Sequence, residues 1–351
     1  MYIVILVYLF ICSFAHNKTL AAINIFITFC IMSGWYFPAY DWINYNDFYA
    51  NINNVGFFND TFEPGFTALM KVGSWFDLEY HSVYILCNVV IYYFVYRYCM
   101  TFKCPSFVFF FIFSLFGFVL FSEQIRQGVA LSIILFATRR RAFLFYALMA
   151  CTFHYSAIFS IGLSFVINSK NKHRDSFFFM FVGGFFVILF FILFGSSLPL
   201  FDFIKNKVSN HLSAALFTPS FMIGVILYIT FAFLCLYKKN YYIIRKRWLY
   251  LCFAIIIFGI PFPVFSRLTY YCYPYIISDI ERLYSRFVQR TILLSTIILI
   301  LGVRIVISPI YFPLISDYHY YLPGLSQSPD YDSIKDGRCI ILKNNGINNF
   351  C

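Results

Sequence analysis

The sequence predicts an all-α polytopic membrane protein, and three observations predict it. Of 351 residues, 61% are hydrophobic and only 12% are charged. That charged share is about half that of an ordinary soluble domain. Apolar runs of roughly 15 to 20 residues recur from one end of the chain to the other, a length suited to crossing a bilayer. The 26 Lys and Arg gather in short clusters between those runs, as they do in cytoplasmic loops. The 49 Phe and 29 Tyr suit lipid-facing rings and interfacial hydroxyls.

About ten spans follow, at 2–15, 20–38, 82–99, 105–121, 122–138, 176–195, 220–237, 248–265, 266–280 and 291–310. The first run resembles a secretory h-region but lacks a basic start and a small-residue cleavage site, so it is read as a span. A polar loop at 39–81 separates the second and third spans and contains an apolar piece, 66–76, suited to a re-entrant or interfacial helix. The stretch 142–167 is flanked by RRR at 139–141 and KNKHR at 170–174. A single span would put one of those clusters outside. A short hairpin bending near His154 keeps both inside, together with most of the other Lys and Arg. On this reading residues 1–310 form one membrane domain, and 311–351 form a polar extracytoplasmic tail. The 39–81 loop, the 196–219 loop, the Glu123/Arg126 segment, Arg267 and the tail then converge on the outer face.

Several chemistries are excluded. The net charge of +11 sits in loop clusters and not on an amphipathic face, which argues against nucleic acid. No GxxxxGK[ST], GxGxxG or HExxH pattern occurs, and the 11 Cys form no metal-ligand spacing, so no nucleotide, metal or other cofactor is expected. Cys339 and Cys351 alone lie in a polar segment, where an extracellular disulfide can form.

The candidate functional residues are polar groups at the edges of apolar runs. Arg126, in FSEQIRQGVALSII, either pairs with Glu123 one turn earlier or faces a polar cavity, because a charge at mid-membrane costs about 2.5–3.5 kcal/mol. His154, in CTFHYSAIF, is either a satisfied structural imidazole or an acid, base or donor. Glu63 precedes Pro64 and Gly65, a turn that can hold a carboxylate at the mouth of 66–76. Asp41, Tyr45 and Tyr49 recur every fourth residue and share a face if their segment is helical. Asp41 is a solvated loop carboxylate or a general base. Arg267, in VFSRLTYYCYPY, is a boundary anchor or a fork of donors for a phosphate or sugar.

DWINYNDFY, FEPGFTALMK, IRQGVALSI followed by RRR, TFHYSAI and SRLTYY occur in this order over residues 41–271. Together they resemble the EpsG-like family of Wzy-type oligosaccharide repeat-unit polymerases. The resemblance implies a glycosyltransferase of the bacterial inner membrane with its active site facing outward. Such an enzyme moves a growing glycan from polyprenyl diphosphate onto the next lipid-linked repeat unit, beside a flippase and a chain-length regulator. It would give Arg126 and Arg267 to the diphosphate, Glu63, Asp41 or His154 to proton transfer, and Tyr45, Tyr49 and Tyr270 to the sugars. A flippase, an O-antigen ligase and a membrane acyltransferase are the rival readings. A flippase would show internal repeats with paired broken helices, and none is visible.

Overall fold

The computed structural model describes residues 1–57, 61–168, 252, 267–277, 287–307 and 311–344. The predicted spans 176–195 and 220–237, and 248–265 apart from Cys252, lie outside the described residues. What is described is helical, with one antiparallel pair of two-residue strands. The chain divides into two units, Met1–Tyr155 with Ile280–Cys351, and Ser156–Asp279.

The first unit opens with α1 (Tyr2–Cys12) and α2 (Lys18–Ser33). Asn17 caps α2, its side-chain oxygen accepting from the Thr19 amide at 2.7 Å and so satisfying a donor the helix leaves over. The strand β1 (Trp35–Tyr36) follows, then α3 (Asp41–Ala50), α4 (Pro64–Trp75) and α5 (Tyr80–Cys99). Next come α6 (Pro105–Phe116), α7 (Ile125–Ala137) and α8 (Phe143–Phe153). Pro64 and Pro105 each stand in the first turn of a helix, where a missing N–H costs nothing. At 20 residues α5 reaches about 30 Å, the thickness of a hydrocarbon core. It is the one helix long and apolar enough to cross a membrane that is recognised among the described residues, and α1, α2, α6, α7 and α8 are shorter apolar helices. A total of ten spans therefore rests on the sequence.

The phenylalanine-rich α6 is buried almost throughout and forms the centre of this unit. On α5 the buried face carries Val83, Tyr84, Cys87, Ile91 and Val95 at helical spacing, and it packs on α2 and α7. The predicted run 105–121 is not one helix. After Phe116 the chain enters a π turn, Val119–Glu123, which ends at Gln124 and sets Arg126 in the first turn of α7. Gly128 permits α7 to lie against that turn, since a Cβ there would sit 2.3 Å from the Leu120 carbonyl oxygen.

The helix expected to break at His154 does so. Its backbone is extended (φ −157°, ψ 117°), and a short 3-10 turn, Tyr155–Ala157, follows. In the second unit α9 (Ile158–Asn168) packs on a 3-10 turn, Tyr270–Cys272, with the Ser156 hydroxyl 3.2 Å from that of Tyr271.

The polar tail belongs to the first unit and is ordered upon it. After α10 (Phe287–Ile307) and α11 (Tyr311–Ser316), β2 (His319–Tyr320) pairs antiparallel with β1, and α12 (Tyr331–Asn344) closes the described chain. The Tyr321 amide donates to the Gly34 carbonyl at 2.8 Å, and the His81 imidazole meets the Tyr321 carbonyl at 3.0 Å. Lys335 of α12 pairs with Asp47 of α3 at 3.2 Å. Arg338, only 2% exposed, pairs with Asp317 and donates to the Pro313 and Asp317 carbonyls. Cys339 is disulfide-bonded, whereas the other described cysteines form no disulfide.

Gly128→Ala should destabilise the fold by about 1–3 kcal/mol, because a backbone carbonyl cannot move aside for the new methyl. Gly337→Ala in α12, where an added methyl meets nothing within 4 Å, should be neutral or stabilising by up to about 1 kcal/mol. Thermal unfolding in detergent checks both. Equal melting temperatures for Gly128→Ala and the parent would contradict the packing of α7 on the π turn.

Candidate active site

Four elements of the first unit converge on Arg126. Glu63 is the N-cap of α4, held extended (φ −67°, ψ 147°) by the proline that follows it. Its carboxylate makes no capping bond to its own helix and is thereby free to reach Arg126. The guanidinium Nη1 donates to Glu63 Oε2, while the Tyr155 amide lies 3.4 Å from Oε1. Gly65, two residues on, makes the approach to α8 feasible, since a Cβ there would fall 2.5 Å from Thr152 Oγ1 and 2.8 Å from the Thr152 carbonyl oxygen. The FEPGF motif thus has a physical reading. Glu supplies the carboxylate, Pro sets its backbone, Gly admits the end of α8, and the two Phe rings line the guanidinium.

Those rings form an aromatic cup. The Arg126 guanidinium carbon sits 4.5 Å from the Phe62 ring centroid, 5.6 Å from Tyr45 and 6.0 Å from Phe66, distances at which the ring faces attract a cation. Arg126 Nε also donates to the Tyr45 hydroxyl at 3.4 Å. Burial pushes the Tyr45 phenol well above its ordinary pKa, despite the opposing pull of Arg126, so the hydroxyl stays protonated. The side chains of Arg126 and Glu63 are 19% and 7% exposed, which leaves the pair shielded yet open along one edge. Among the described residues Arg126 Nη2 has no hydrogen-bond partner, so one donor arm of the fork remains available.

The remaining candidates fall around this centre or outside it. The α3 segment is helical, as the Asp41, Tyr45 and Tyr49 spacing required. Asp41 stands in its first turn, where the helix dipole favours a carboxylate, and is half-buried. The Tyr45 ring is buried against Phe62 and Phe66, so its hydroxyl is what faces the site. The Tyr49 hydroxyl donates to the Leu78 carbonyl at 2.6 Å and ties α3 to the turn before α5. His154 ends α8 and brings the next peptide to Glu63. Arg126 does not take Glu123 as its ion-pair partner. The π turn intervenes, and the carboxylate that meets the guanidinium comes from a residue 63 positions earlier in the chain. Arg267 and Tyr270 belong to the second unit, where Arg267 is exposed and Tyr270 opens the 3-10 turn. The Tyr155 amide and the Thr152–Gly65 contact carried no sequence signal. The Phe62 and Phe66 rings did, flanking Glu63 at helical spacing.

Fold and site together define an apolar helical protein that shelters an ion pair between its helix ends. The chain belongs to the EpsG family, which matches over residues 18–321, most of its length. That is a Wzy-like polymerase family, so this is a membrane protein of polysaccharide biosynthesis. No curated protein and no solved structure matches the chain.

Glu63→Gln leaves Arg126 without its counter-charge and should destabilise the protein by about 1–3 kcal/mol, below the roughly 3–5 kcal/mol of a fully buried pair because the site is open on one edge. The double variant Glu63→Gln, Arg126→Gln should lose less than the sum of the two single variants when thermal unfolding is compared. Additive losses would show that the two side chains are not coupled.

Proposed function

We propose that the protein is a polysaccharide polymerase that joins polyprenyl-diphosphate-linked oligosaccharide repeat units at the outer face of the bacterial inner membrane, releasing polyprenyl diphosphate. The observation that carries this reading is the guanidinium of Arg126, held by Glu63 and an aromatic cup with one donor arm unengaged. In the reaction an acceptor sugar hydroxyl attacks the anomeric carbon of the donor. The bond from that carbon to the phosphate oxygen breaks, and the leaving diphosphate takes the electron pair. A fixed cation beside that oxygen stabilises charge that develops only as the bond breaks. Arg126 supplies this charge, and Arg267 is the second cation assigned to the diphosphate.

The acceptor proton needs a base, and Glu63 is the first choice. Its Oε2 accepts from Arg126 and its Oε1 lies near the Tyr155 amide, so the carboxylate is fixed beside the guanidinium assigned to the diphosphate. Asp41 lies one turn before Tyr45 on α3, and His154 lies beside the peptide that holds Glu63. These are the alternative proton acceptors. Tyr45 offers a neutral hydroxyl, and Tyr49 and Tyr270 are assigned to sugar contact.

Two features support an outward site. Cys339 is in a disulfide, which persists on the oxidising side of a membrane, and α12 carrying it is ion-paired to α3. The RRR cluster at 139–141 lies at the opposite end of α7 from Arg126, as the positive-inside rule expects of a cytoplasmic loop. On this reading the chain crosses the membrane about ten times, 142–167 forms the inward-flanked hairpin, and a flippase supplies substrate while a chain-length regulator limits product.

Deleting the gene and restoring it as wild type or Arg126→Ala tests the function on a gel of surface glycan. The expected result is a ladder that collapses to single repeat units on deletion and returns only with wild type. Loss of all surface glycan, with lipid-linked units held inside, would instead favour a flippase. An unchanged ladder would remove both.

A further inference from the structure

The helix α4 and the turn after it carry a second, exposed apolar face. Phe66, Thr67, Met70 and Gly73 turn inward, whereas Trp75 and the following Phe76 are 69% and 71% exposed. Val72 and Leu78 are exposed beside them. Lys71 lies one turn before Trp75, its amine 4.8 Å from the centroid of the exposed Phe57 ring. A Trp and Phe pair flanked by a lysine on an aromatic ring is the composition of a boundary between acyl chains and headgroups.

The occupant of this face is indicated by the helix that follows. On α5, which is long and apolar enough to cross a membrane, Leu86, Val89, Tyr93 and Tyr96 form an exposed apolar stripe at steps of three and four residues. The helix begins at Tyr80, two residues after Leu78, so the stripe starts close to the turn that follows Trp75 and Phe76. Arg97 marks the other end, its guanidinium over the Tyr93 ring at 5.8 Å. The 20 residues of α5, Tyr80–Cys99, reach about 30 Å, the thickness of the hydrocarbon core. The exposed end of α4 is therefore continuous with a lipid-facing surface and stands at its boundary. The 12 residues of α4 reach only about 18 Å and cannot cross that core.

We propose that Val72, Trp75, Phe76 and Leu78 form an interfacial anchor that seats α4 along the membrane surface, at the headgroup boundary on the side where α5 begins. The partner is the lipid bilayer itself. An α4 lying in that plane holds Glu63, at its other end, at the depth of the lipid phosphates. This consequence rests on the reading of Glu63 and Arg126 as the diphosphate site, whereas the anchor does not.

Tryptophan fluorescence of the whole chain in phosphatidylcholine–phosphatidylglycerol vesicles tests the anchor without any glycan chemistry. Subtracting the spectrum of Trp75→Phe isolates Trp75 from Trp35 and Trp42, which are buried, and from Trp248. Lipids brominated near the headgroup should quench the Trp75 emission more than lipids brominated near the midplane. Stronger quenching from the midplane would make α4 a re-entrant helix and overturn the proposal. It would also be overturned by a Trp75 that emits as in water without quenching. Blue-shifted emission insensitive to both lipids would assign the face to a second copy of the chain instead.

Discussion

A charged guanidinium in an apolar helical bundle is tolerated only if its charge is answered, and the first unit is arranged around answering that of Arg126. Left alone in hydrocarbon it would cost about 2.5–3.5 kcal/mol. Three aromatic rings and one carboxylate offset that cost. None of these groups comes from α7 itself, so the charge can be accommodated only once α3 and α4 have docked beside the helix end. Glu63 in turn needs an extended backbone, which Pro64 provides, and a close approach of α8, which Gly65 allows. The local choices at 62–66 thus follow from one long-range ion pair.

The same logic explains why a polar tail is folded where a membrane protein would tolerate a loose one. The helix α3 is short and carries Tyr45 on its buried side and Asp47 on its exposed side. It is fastened from within by Trp42 among Tyr80, Tyr84 and Tyr36, and from without by Lys335 and the Tyr331 hydroxyl on Asp47. An exposed ion pair contributes little by itself. The fastening comes from the sum of strand pairing, aromatic contact and the buried Arg338 that folds the tail onto itself. The family match ends at residue 321, so β2 lies within it and α12 lies beyond it.

The membrane class was legible because hydropathy and loop charge act along the sequence, and the helicity of α3 and the break at His154 were legible because both depend on neighbours. Arg126 was recognisable from its cost. Its partner was not, because Glu123 sat at the right spacing for an α-helix and only the π turn at 119–123 removed that register. Tyr155 acts through a backbone amide, which no side-chain pattern announces. The β1–β2 pairing involves two residues on each strand, nearly 300 positions apart, too short to show any alternation. The place of Arg267 relative to Arg126 depends on how two separate units meet, which neither composition nor motif spacing encodes.

In the function we propose, this one guanidinium serves a lipid-linked glycosyl transfer that needs no nucleotide sugar. Purified chain in vesicles, supplied only with polyprenyl-diphosphate-linked repeat units, measures this directly by counting polymer bonds and polyprenyl diphosphate together. One diphosphate should be released for each new glycosidic bond, with both lost in Arg126→Lys because a point charge cannot replace the donor fork. Polymer formed at the wild-type rate by Arg126→Lys, or no polymer from the wild type under these conditions, would contradict it.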